Sequence, residues 1–279
     1  LSLMMADFSP VTSLTELFSY PFMVRAFIVG TLSAMAAALV GVPLVLRRFS
    51  MIGDGLSHVA FGAIAVGMVF QAAPLAVALP VVAVAAFWLL KAADGRALSG
   101  DAAIAMLSST ALATGITAVS LTDGFNTDAE SILFGSILGL TNTDVIISGV
   151  VAVAVIAGVV LLFPRLFSLV FDAAYTEATG LSVRRLSTIL ALMTALTVVT
   201  GMHIMGALLI SSLIVFPPMS AMRLFDRYVP VCWAAALIAL VALWSGLLAS
   251  YYLALPAGAA IVLANALIYL LTRLLGDRR

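Results

Sequence analysis

The sequence predicts an all-α fold, a polytopic membrane bundle of about eight to nine transmembrane helices that forms one domain over residues 1–279. Hydrophobic residues make up 64% of the chain and charged residues only 9%, whereas a soluble domain carries about 25% charged residues. The apolar residues are grouped in stretches of the roughly 20 residues that a helix needs to cross about 30 Å of hydrocarbon. Short polar segments separate these stretches and hold most of the charges.

Charge and cysteine content exclude two other classes of protein. The formal net charge is zero, which argues against nucleic acid as a partner and leaves membrane lipid as the surroundings. The single cysteine, Cys232, rules out an intramolecular disulfide framework. Residues 1–20 show no basic segment leading into an apolar core. We therefore expect no cleavable signal peptide and expect the first span to direct membrane insertion.

Nine spans are predicted along the chain. They cover residues 26–46, 51–71, 73–90, 102–121, 145–164, 186–202, 204–222, 229–248 and 256–272. The sixth and seventh spans are divided near Gly201 to Gly206, because the stretch between Arg185 and Arg223 is too long for one crossing. Eight crossings stay open as an alternative if the first or the shortest span is peripheral. Residues 1–22 are expected to hold a short interfacial helix.

Basic residues determine the predicted orientation. With nine crossings, one side of the membrane receives all but one of the 13 basic residues, namely Arg47, Arg48, Lys91, Arg96, Arg165, Arg184, Arg185, Arg223, Arg227, Arg273, Arg278 and Arg279. Only Arg25 falls on the other side, together with the acidic residues Asp123, Asp128 and Glu130. The positive-inside rule therefore predicts a cytoplasmic C-terminus and an external N-terminus.

Two segments are too short to cross the membrane. Residues 131–139 are apolar but brief, and we expect a half-helix or re-entrant piece packed within protein. Residues 171–181 predict a polar helix on the cytoplasmic side, with Asp172 and Glu177 near its start and Gly180 as its stop. This helix fits a docking or coupling helix for a cytoplasmic partner, and an ordinary amphipathic loop helix is the alternative.

An ionisable pair lies inside the second span. Asp54 and His58 are four residues apart, so a helix places them on one face, one turn from each other. Counting about 1.5 Å per residue from Arg48, Asp54 lies roughly 9 Å and His58 roughly 15 Å into the membrane. At that depth both side chains must face protein or a cavity. The same face continues through Gly62 and Ala65, which leave room for a close helix or a pathway.

The residue types of this pair suit a transition metal. Imidazole nitrogen with carboxylate oxygen is a usual ligand set for Zn²⁺, Mn²⁺ or Fe²⁺. Two ligands do not complete a site, and a second copy of the chain across a two-fold axis would supply two more. A structural hydrogen bond and a proton relay are the two other interpretations of Asp54 and His58.

Five sequence blocks follow one another along the chain. They are Arg47-Arg48-x-Ser50-Met51-x-Gly53-Asp54-x-Leu56-Ser57-His58, Leu133-Phe134-Gly135-Ser136-Ile137-Leu138, Phe171-Asp172-x6-Thr179-Gly180-Leu181, Gly206-Ala207-Leu208-Leu209 and Leu255-Pro256-Ala257-Gly258-Ala259-Ala260-Ile261-Val262. Together they resemble one known family, the membrane permease subunits of bacterial ABC importers for zinc, manganese or iron. Asp144 follows the second block as in that family. Pro217-Pro218 departs from the family's Pro-Ala and is expected to break the seventh span.

The resemblance implies a function and a set of partners. It implies an importer in the bacterial inner membrane, built from a homodimer of permeases, two cytoplasmic ATPases and an external metal-binding lipoprotein. It also implies that Asp54 and His58 coordinate the transported metal and that the segment 171–181 contacts the ATPase. Zinc and manganese are the leading metals and iron is the third, because nitrogen and oxygen ligands serve all three. No permanently bound cofactor is expected.

The chain has no phosphate-binding loop of its own. Its one lysine, Lys91, lies in no Walker-type G-x-x-x-x-G-K-[ST] stretch, so we expect a transporter subunit rather than an enzyme. A proton-coupled secondary metal transporter that uses the same Asp–His pair is the alternative function. A membrane metalloenzyme would need three protein ligands and an open position, whereas the core of this chain offers only two candidates.

Four more residues are candidates for an external metal-binding mouth. His203 is predicted at the external turn between the sixth and seventh spans, where the family usually carries a neutral or basic polar residue. Asp123, Asp128 and Glu130 lie on the same side and would attract cations. An ordinary loop histidine and solvated loop charge are the alternative interpretations of these four residues.

Overall fold

The fold is built from α-helices. The computed structural model describes residues 21–93, 100–121, 142–253 and 255–276. Within these residues the chain forms α1 (Pro21–Leu46), α2 (Ile52–Val69), α3 (Pro74–Ala93), α4 (Gly100–Ser120), α5 (Asn142–Leu161), α6 (Phe163–Phe171), α7 (Ala173–Ala178), α8 (Val183–Met205), α9 (Ala207–Leu224), α10 (Tyr228–Leu253) and α11 (Ala257–Gly276). The all-α class is confirmed. The re-entrant segment predicted at 131–139, and nearly all of the interfacial helix predicted at 1–22, lie outside the described residues.

Nine helices of the described chain are long and apolar enough to cross a membrane. Their apolar spans are Phe27–Leu46, Ile52–Val69, Leu75–Ala92, Gly100–Ser120, Thr143–Leu161, Val183–Met205, Ala207–Leu224, Tyr228–Leu253 and Ala257–Leu274. Each corresponds to one of the nine spans predicted from the sequence. The boundaries differ by a few residues at most ends, because fraying ends and turns carry little apolar pattern.

The break between α8 and α9 falls at Gly206, inside the predicted interval. Gly206 has φ 87° and ψ 161°, a backbone conformation that residues with a Cβ rarely adopt. Its neighbours Met205 and Ala207 are 3% and 7% exposed. The turn is therefore packed inside the protein and is not a solvated loop.

The predicted break of the seventh span at Pro217-Pro218 is wrong. α9 continues through both prolines, and both are buried. A proline inside a helix removes a backbone N–H and crowds the preceding turn, but neighbouring helices in a membrane bundle can support the distorted segment. Here α1 supplies that support, because Pro218 Cγ lies 3.0 Å from the position that a Cβ on Gly41 would occupy.

The helix that carries the candidate pair lies near the centre of the bundle. Most residues of the spans of α1, α2 and α8 are buried, whereas those of α4, α5 and α11 are largely uncovered. α2 packs against α3, α4, α8 and α9. One face of α2 stays open, and the exposed Met51 and Val69 mark its two ends.

Several basic side chains lie at one end of the bundle, which we call the basic end. Arg47, just after α1, donates from Nη1 to Ser187 Oγ of α8 at 3.1 Å. Lys91 near the end of α3 and Arg184 near the start of α8 line one cavity of about 530 Å³ together with Glu177. α2 therefore begins at the basic end and runs towards the opposite end, where α5 begins.

A short helix that the sequence did not predict lies between α5 and α7. The rings of Phe163 and Phe167 in α6 lie 5.0 and 5.3 Å from the ring of Tyr228 at the start of α10. Phe171 approaches the same ring at 6.2 Å. These four rings, called the aromatic cluster below, attach α6 to α10.

Candidate functional site

Asp54 and His58 lie side by side on α2, as the sequence predicts. Asp54 is in the first turn of the helix, where the helix dipole favours a carboxylate. His58 Nε2 lies 3.6 Å from Asp54 Oδ2, and the side chains of His58 and Asp54 are 25% and 48% exposed. Two potential metal ligands are therefore presented in the same direction on the open face of α2.

The surroundings of His58 argue against a purely structural role. The distance of 3.6 Å to Asp54 is too long for a hydrogen bond. The other ring nitrogen, Nδ1, is buried and has no hydrogen-bond partner among the described residues, although buried polar atoms are normally paired. The interpretation of His58 as a residue that joins helices by a hydrogen bond is therefore not supported.

Glycines bring α4 against the same helix. A Cβ on Gly62 would lie 2.6 Å from the backbone oxygen of Ala111, and a Cβ on Gly115 would lie 2.7 Å from Phe61 Cε1. A Cβ on Gly55 would lie 2.7 Å from Ile104 Cγ2. The small residues of α2 therefore accommodate a close helix, one of the two uses that the sequence left open for Gly62.

A serine contact connects α9 to the site. Ser57, the residue before His58, donates to the carbonyl oxygen of Gly53 at 2.7 Å, and its Oγ lies 3.4 Å from Ser211 Oγ of α9. Ser211 in turn donates to the carbonyl oxygen of Ala207 at 2.9 Å. The first turn of α9, which follows the buried turn at Gly206, thus reaches the neighbour of the candidate ligand.

Hydroxyl groups line a groove beside α2 that lies farther from the basic end than Asp54 and His58. A groove of about 780 Å³ lies between the end of α2 and α4, and it is lined by Val66, Val69, Phe70, Ser109, Thr110, Ala113, Thr114, Thr117, Ala118 and Leu121. Thr110, Thr114 and Thr117 donate to the carbonyl oxygens four residues earlier at 2.7 to 2.8 Å. The sequence analysis missed this hydroxyl groove, although the spacing of the threonines on α4 could have revealed it.

A second Asp–His pair joins α5 to α8. His203 lies in the last turn of α8, and its Nε2 is 3.3 Å from Oδ1 of Asp144 in the first turn of α5. The side chains of His203 and Asp144 are 31% and 20% exposed. Sequence reasoning singled out His203 and noted Asp144 only as part of a family block, because nothing local in the sequence links residues 59 apart.

The predicted coupling segment forms the short helix α7, with one correction. Asp172 is its N-cap and accepts a hydrogen bond from the backbone N–H of Tyr175 at 2.9 Å. Gly180 ends the segment with φ 81°. Glu177 lies in the last turn of α7, and the prediction that it lies near the start is wrong, because the helix begins after Asp172 and is only six residues long.

The N-cap and the glycine give α7 well-defined ends. The N–H of Leu181 donates to Thr176 O at 3.1 Å and that of Gly180 donates to Glu177 O at 2.9 Å, the two bonds of a Schellman motif. Thr176 is fully buried, whereas Asp172, Tyr175 and most other α7 residues are exposed. α7 is therefore a fixed helix that presents an uncovered surface at the basic end.

The described residues do not include the remaining predicted site residues, and they form no complete metal site. Asp123, Asp128 and Glu130 lie outside the described residues. Within the described ranges, no three His, Cys, Asp or Glu side chains are grouped closely enough to hold a metal ion. A complete metal site therefore needs ligands other than those that the described part of one chain brings together.

Sequence and structure comparisons extend this description. The zinc uptake membrane protein ZnuB of Haemophilus influenzae is 26% identical over 250 residues, which are 88% of this chain and 95% of that protein. The manganese transport membrane protein MntC of Listeria innocua is 28% identical over 272 residues, 95% of each chain. The structure of PsaBC from Streptococcus pneumoniae in complex with Fab contains a chain that matches with a TM-score of 0.83 and 26% identity, covering 93% of both chains.

The nine apolar helices of the described residues are those of a polytopic membrane protein, and the relatives just named are membrane components of transport systems. The chain belongs to the ABC 3 transport family, whose sequence profile matches residues 19–276. This match confirms the resemblance found in the five sequence blocks and identifies the chain as the membrane permease component of an ABC transporter.

Proposed function

We propose that this chain is the permease subunit of an ATP-driven importer of divalent transition metal ions, and that the ion passes Asp54 and His58. The observation that carries the proposal is the presence of this accessible pair on α2, a span that is otherwise mostly buried. Ionisable side chains inside a membrane span are costly and usually mark an ion pathway. Carboxylate oxygen and imidazole nitrogen are ligands that such metals accept.

The proposal includes a homodimer. One chain offers two ligands, and both are partly exposed although they lie in a membrane span. Lipid cannot cover a carboxylate, so protein or water must face it. A second copy across a two-fold axis would place its own Asp54 and His58 opposite the first pair and supply four ligands in all.

We propose one further partner protein at each end of the bundle. The uncovered helix α7, with Asp172, Glu177 and Gly180, is the proposed contact for a cytoplasmic ABC ATPase. The positive-inside rule places the basic end and the C-terminus in the cytoplasm and the N-terminus outside a bacterial inner membrane. An external metal-binding protein then delivers the ion at the opposite end.

The metal is proposed to be Zn²⁺ or Mn²⁺, with Fe²⁺ as the third candidate. The named relatives include a zinc uptake protein and a manganese transport protein at similar identity. The ligand types do not separate these metals, since imidazole and carboxylate bind all of them. The ion is transported cargo, and a conducting site must release it, so modest affinity is expected.

Metal uptake by variants tests the proposal. In proteoliposomes that contain the permease with its ATPase, Asp54→Ala and His58→Ala should each lower zinc or manganese uptake by at least about tenfold, since loss of even an outer partner of a metal ligand typically costs that much. Asp226→Ala is the control, because Asp226 is an exposed aspartate in the turn between α9 and α10 and lies outside the spans.

Two results would contradict the proposal. Normal uptake by both site variants would remove Asp54 and His58 from the pathway. Uptake that continues without the ATPase or ATP would favour the proton-coupled secondary transporter, which uses the same Asp–His chemistry but no nucleotide.

A further inference from the structure

The two histidines of the chain share one arrangement. The sequence contains two histidines, and each directs Nε2 at an aspartate carboxylate, at 3.6 Å in the His58 pair and 3.3 Å in the His203 pair. The first pair lies within one helix, whereas the second joins α5 to α8. The same donor chemistry therefore occurs at two separate places in the membrane bundle.

The second pair lies near the end of the bundle that is opposite the basic end. Asp144 is the second residue of the apolar span Thr143–Leu161, and His203 is the third residue from the end of the span Val183–Met205. Both side chains are partly exposed, at 20% for Asp144 and 31% for His203. The pair therefore lies where an ion would enter the membrane spans from that end.

Few residues separate His203 from a contact with the neighbour of His58. After His203 the backbone turns at Gly206, and Ser211 follows in α9, about 6 Å along the helix from Ala207. Ser211 Oγ is 3.4 Å from the Oγ of Ser57, the neighbour of His58. A contact between α2 and α9 therefore connects the segment that follows His203 with the neighbour of His58, and both hydroxyls donate to carbonyl oxygens of their own helices.

We propose that Asp144 and His203 form a second, weaker site for the transported divalent metal, which the ion occupies before it reaches Asp54 and His58. This inference rests on the proposed function. One imidazole nitrogen and one carboxylate oxygen supply part of the coordination shell, and water supplies the rest. Such an incomplete set binds weakly and releases the ion onward, as successive sites in a conducting pathway require. The alternative is a hydrogen bond that only fastens α5 to α8.

Metal binding in a His58→Ala background separates these two roles. Binding of Zn²⁺ alone and of Mn²⁺ alone is measured by equilibrium dialysis on the purified permease–ATPase complex. His58→Ala should retain metal binding that weakens by at least about tenfold when Asp144→Asn is added, because an amide is a poorer ligand than a carboxylate. Equal binding with and without Asp144→Asn would overturn the inference.

The stability of the variants is the control for a structural role. Asparagine has the size of aspartate and keeps one oxygen that can accept a hydrogen bond from His203, so Asp144→Asn should leave the unfolding temperature of the complex nearly unchanged. His203→Gln provides an independent variant with the same expected loss of binding. A fall in unfolding temperature with unchanged binding in both variants would assign the pair to structure alone.

Uptake kinetics separate failure of this inference from failure of the proposed function. With the parent Asp54 and His58, the His203→Gln permease should need a severalfold higher metal concentration for half-maximal uptake and should keep most of its maximal rate. If the parent complex takes up no metal, the proposed function and this inference both fail. If the parent transports metal and His203→Gln shows the same half-saturating concentration, only the second site is wrong.

Discussion

Gly62 and Gly115 determine how closely α4 approaches the helix that carries the candidate ligands. At Gly62 the space for a Cβ is occupied by the backbone oxygen of Ala111, and at Gly115 it is occupied by the ring of Phe61. Backbone atoms cannot move aside as a flexible side chain can. The position of Asp54 and His58 relative to α4 therefore depends on residues that have no side chain.

Gly62→Ala is predicted to destabilise the permease by about 1–3 kcal/mol, the typical cost of overpacking a well-packed interior. The added methyl group would lie 2.6 Å from Ala111 O, and α2 and α4 would have to separate. Thermal unfolding in detergent measures the effect. Gly149→Ala is the matched control, because the nearest atom to its Cβ position is 4.0 Å away. Equal unfolding temperatures for the two variants would contradict the close packing of α2 and α4.

At the scale of helices, α7 is held by interactions at both of its ends. The carboxylate of Asp172 accepts from the N–H of Tyr175, Gly180 adopts a positive φ, and Thr176 anchors the middle of the helix. A helix of six residues is not stable by itself in water. Its order therefore depends on these caps and on the neighbouring α6, which the aromatic cluster attaches to α10.

Asp172→Ala is predicted to cost about 1 kcal/mol of local stability, because an N-cap side chain is lost. The loosened α7 should lower the amount of ATPase that co-purifies with the permease and the rate of ATP hydrolysis by the complex. Asp172→Asn is the control, since asparagine caps a helix as well as aspartate does. If both variants retain the ATPase to the same extent as the parent, the cap has no part in the contact.

The sequence predicts the local features of single helices better than the contacts between helices. The spans and the ends of α7 are predictable, because apolar length, capping residues and glycines act locally. The spacing of Asp54 and His58 is local in the same way. The contact of Asp144 with His203 and the continuity of α9 through Pro217-Pro218 depend on neighbouring helices, and a single sequence does not reveal which helices are neighbours.

At the scale of the whole molecule, α2 has two uncovered patches on one side. One holds Asp54 and His58. The other is at Val66, which lies eight residues after His58 on the same side of the helix and lines the hydroxyl groove together with Thr110 and Thr114 of α4. Residues 59–65 between the two patches are buried. The surface that holds both patches is the proposed homodimer interface.

Single cysteines on this surface are predicted to cross-link two copies. In a Cys232→Ala background, Thr114→Cys should give a covalent dimer in membranes after treatment with a short bismaleimide, because Thr114 lies in the proposed homodimer interface. Leu237→Cys is the control, since Leu237 is also well exposed, at 62%, but lies on α10. A dimer that forms through Leu237→Cys and not through Thr114→Cys would place the interface on another face.

Arg47 connects the two functional parts of the chain through its hydrogen bond to Ser187. Arg47 lies just ahead of α2, which carries Asp54, and Ser187 lies in α8, which follows α7 by a few residues. A displacement of α7 by the proposed ATPase partner would therefore be transmitted to the start of α2, which carries the proposed metal ligands. Such coupling is reciprocal, so a bound ion must alter nucleotide affinity by the same factor by which nucleotide alters ion affinity. In the proposed importer, the affinity of the ATPase for nucleotide would therefore differ between the metal-loaded and the empty permease.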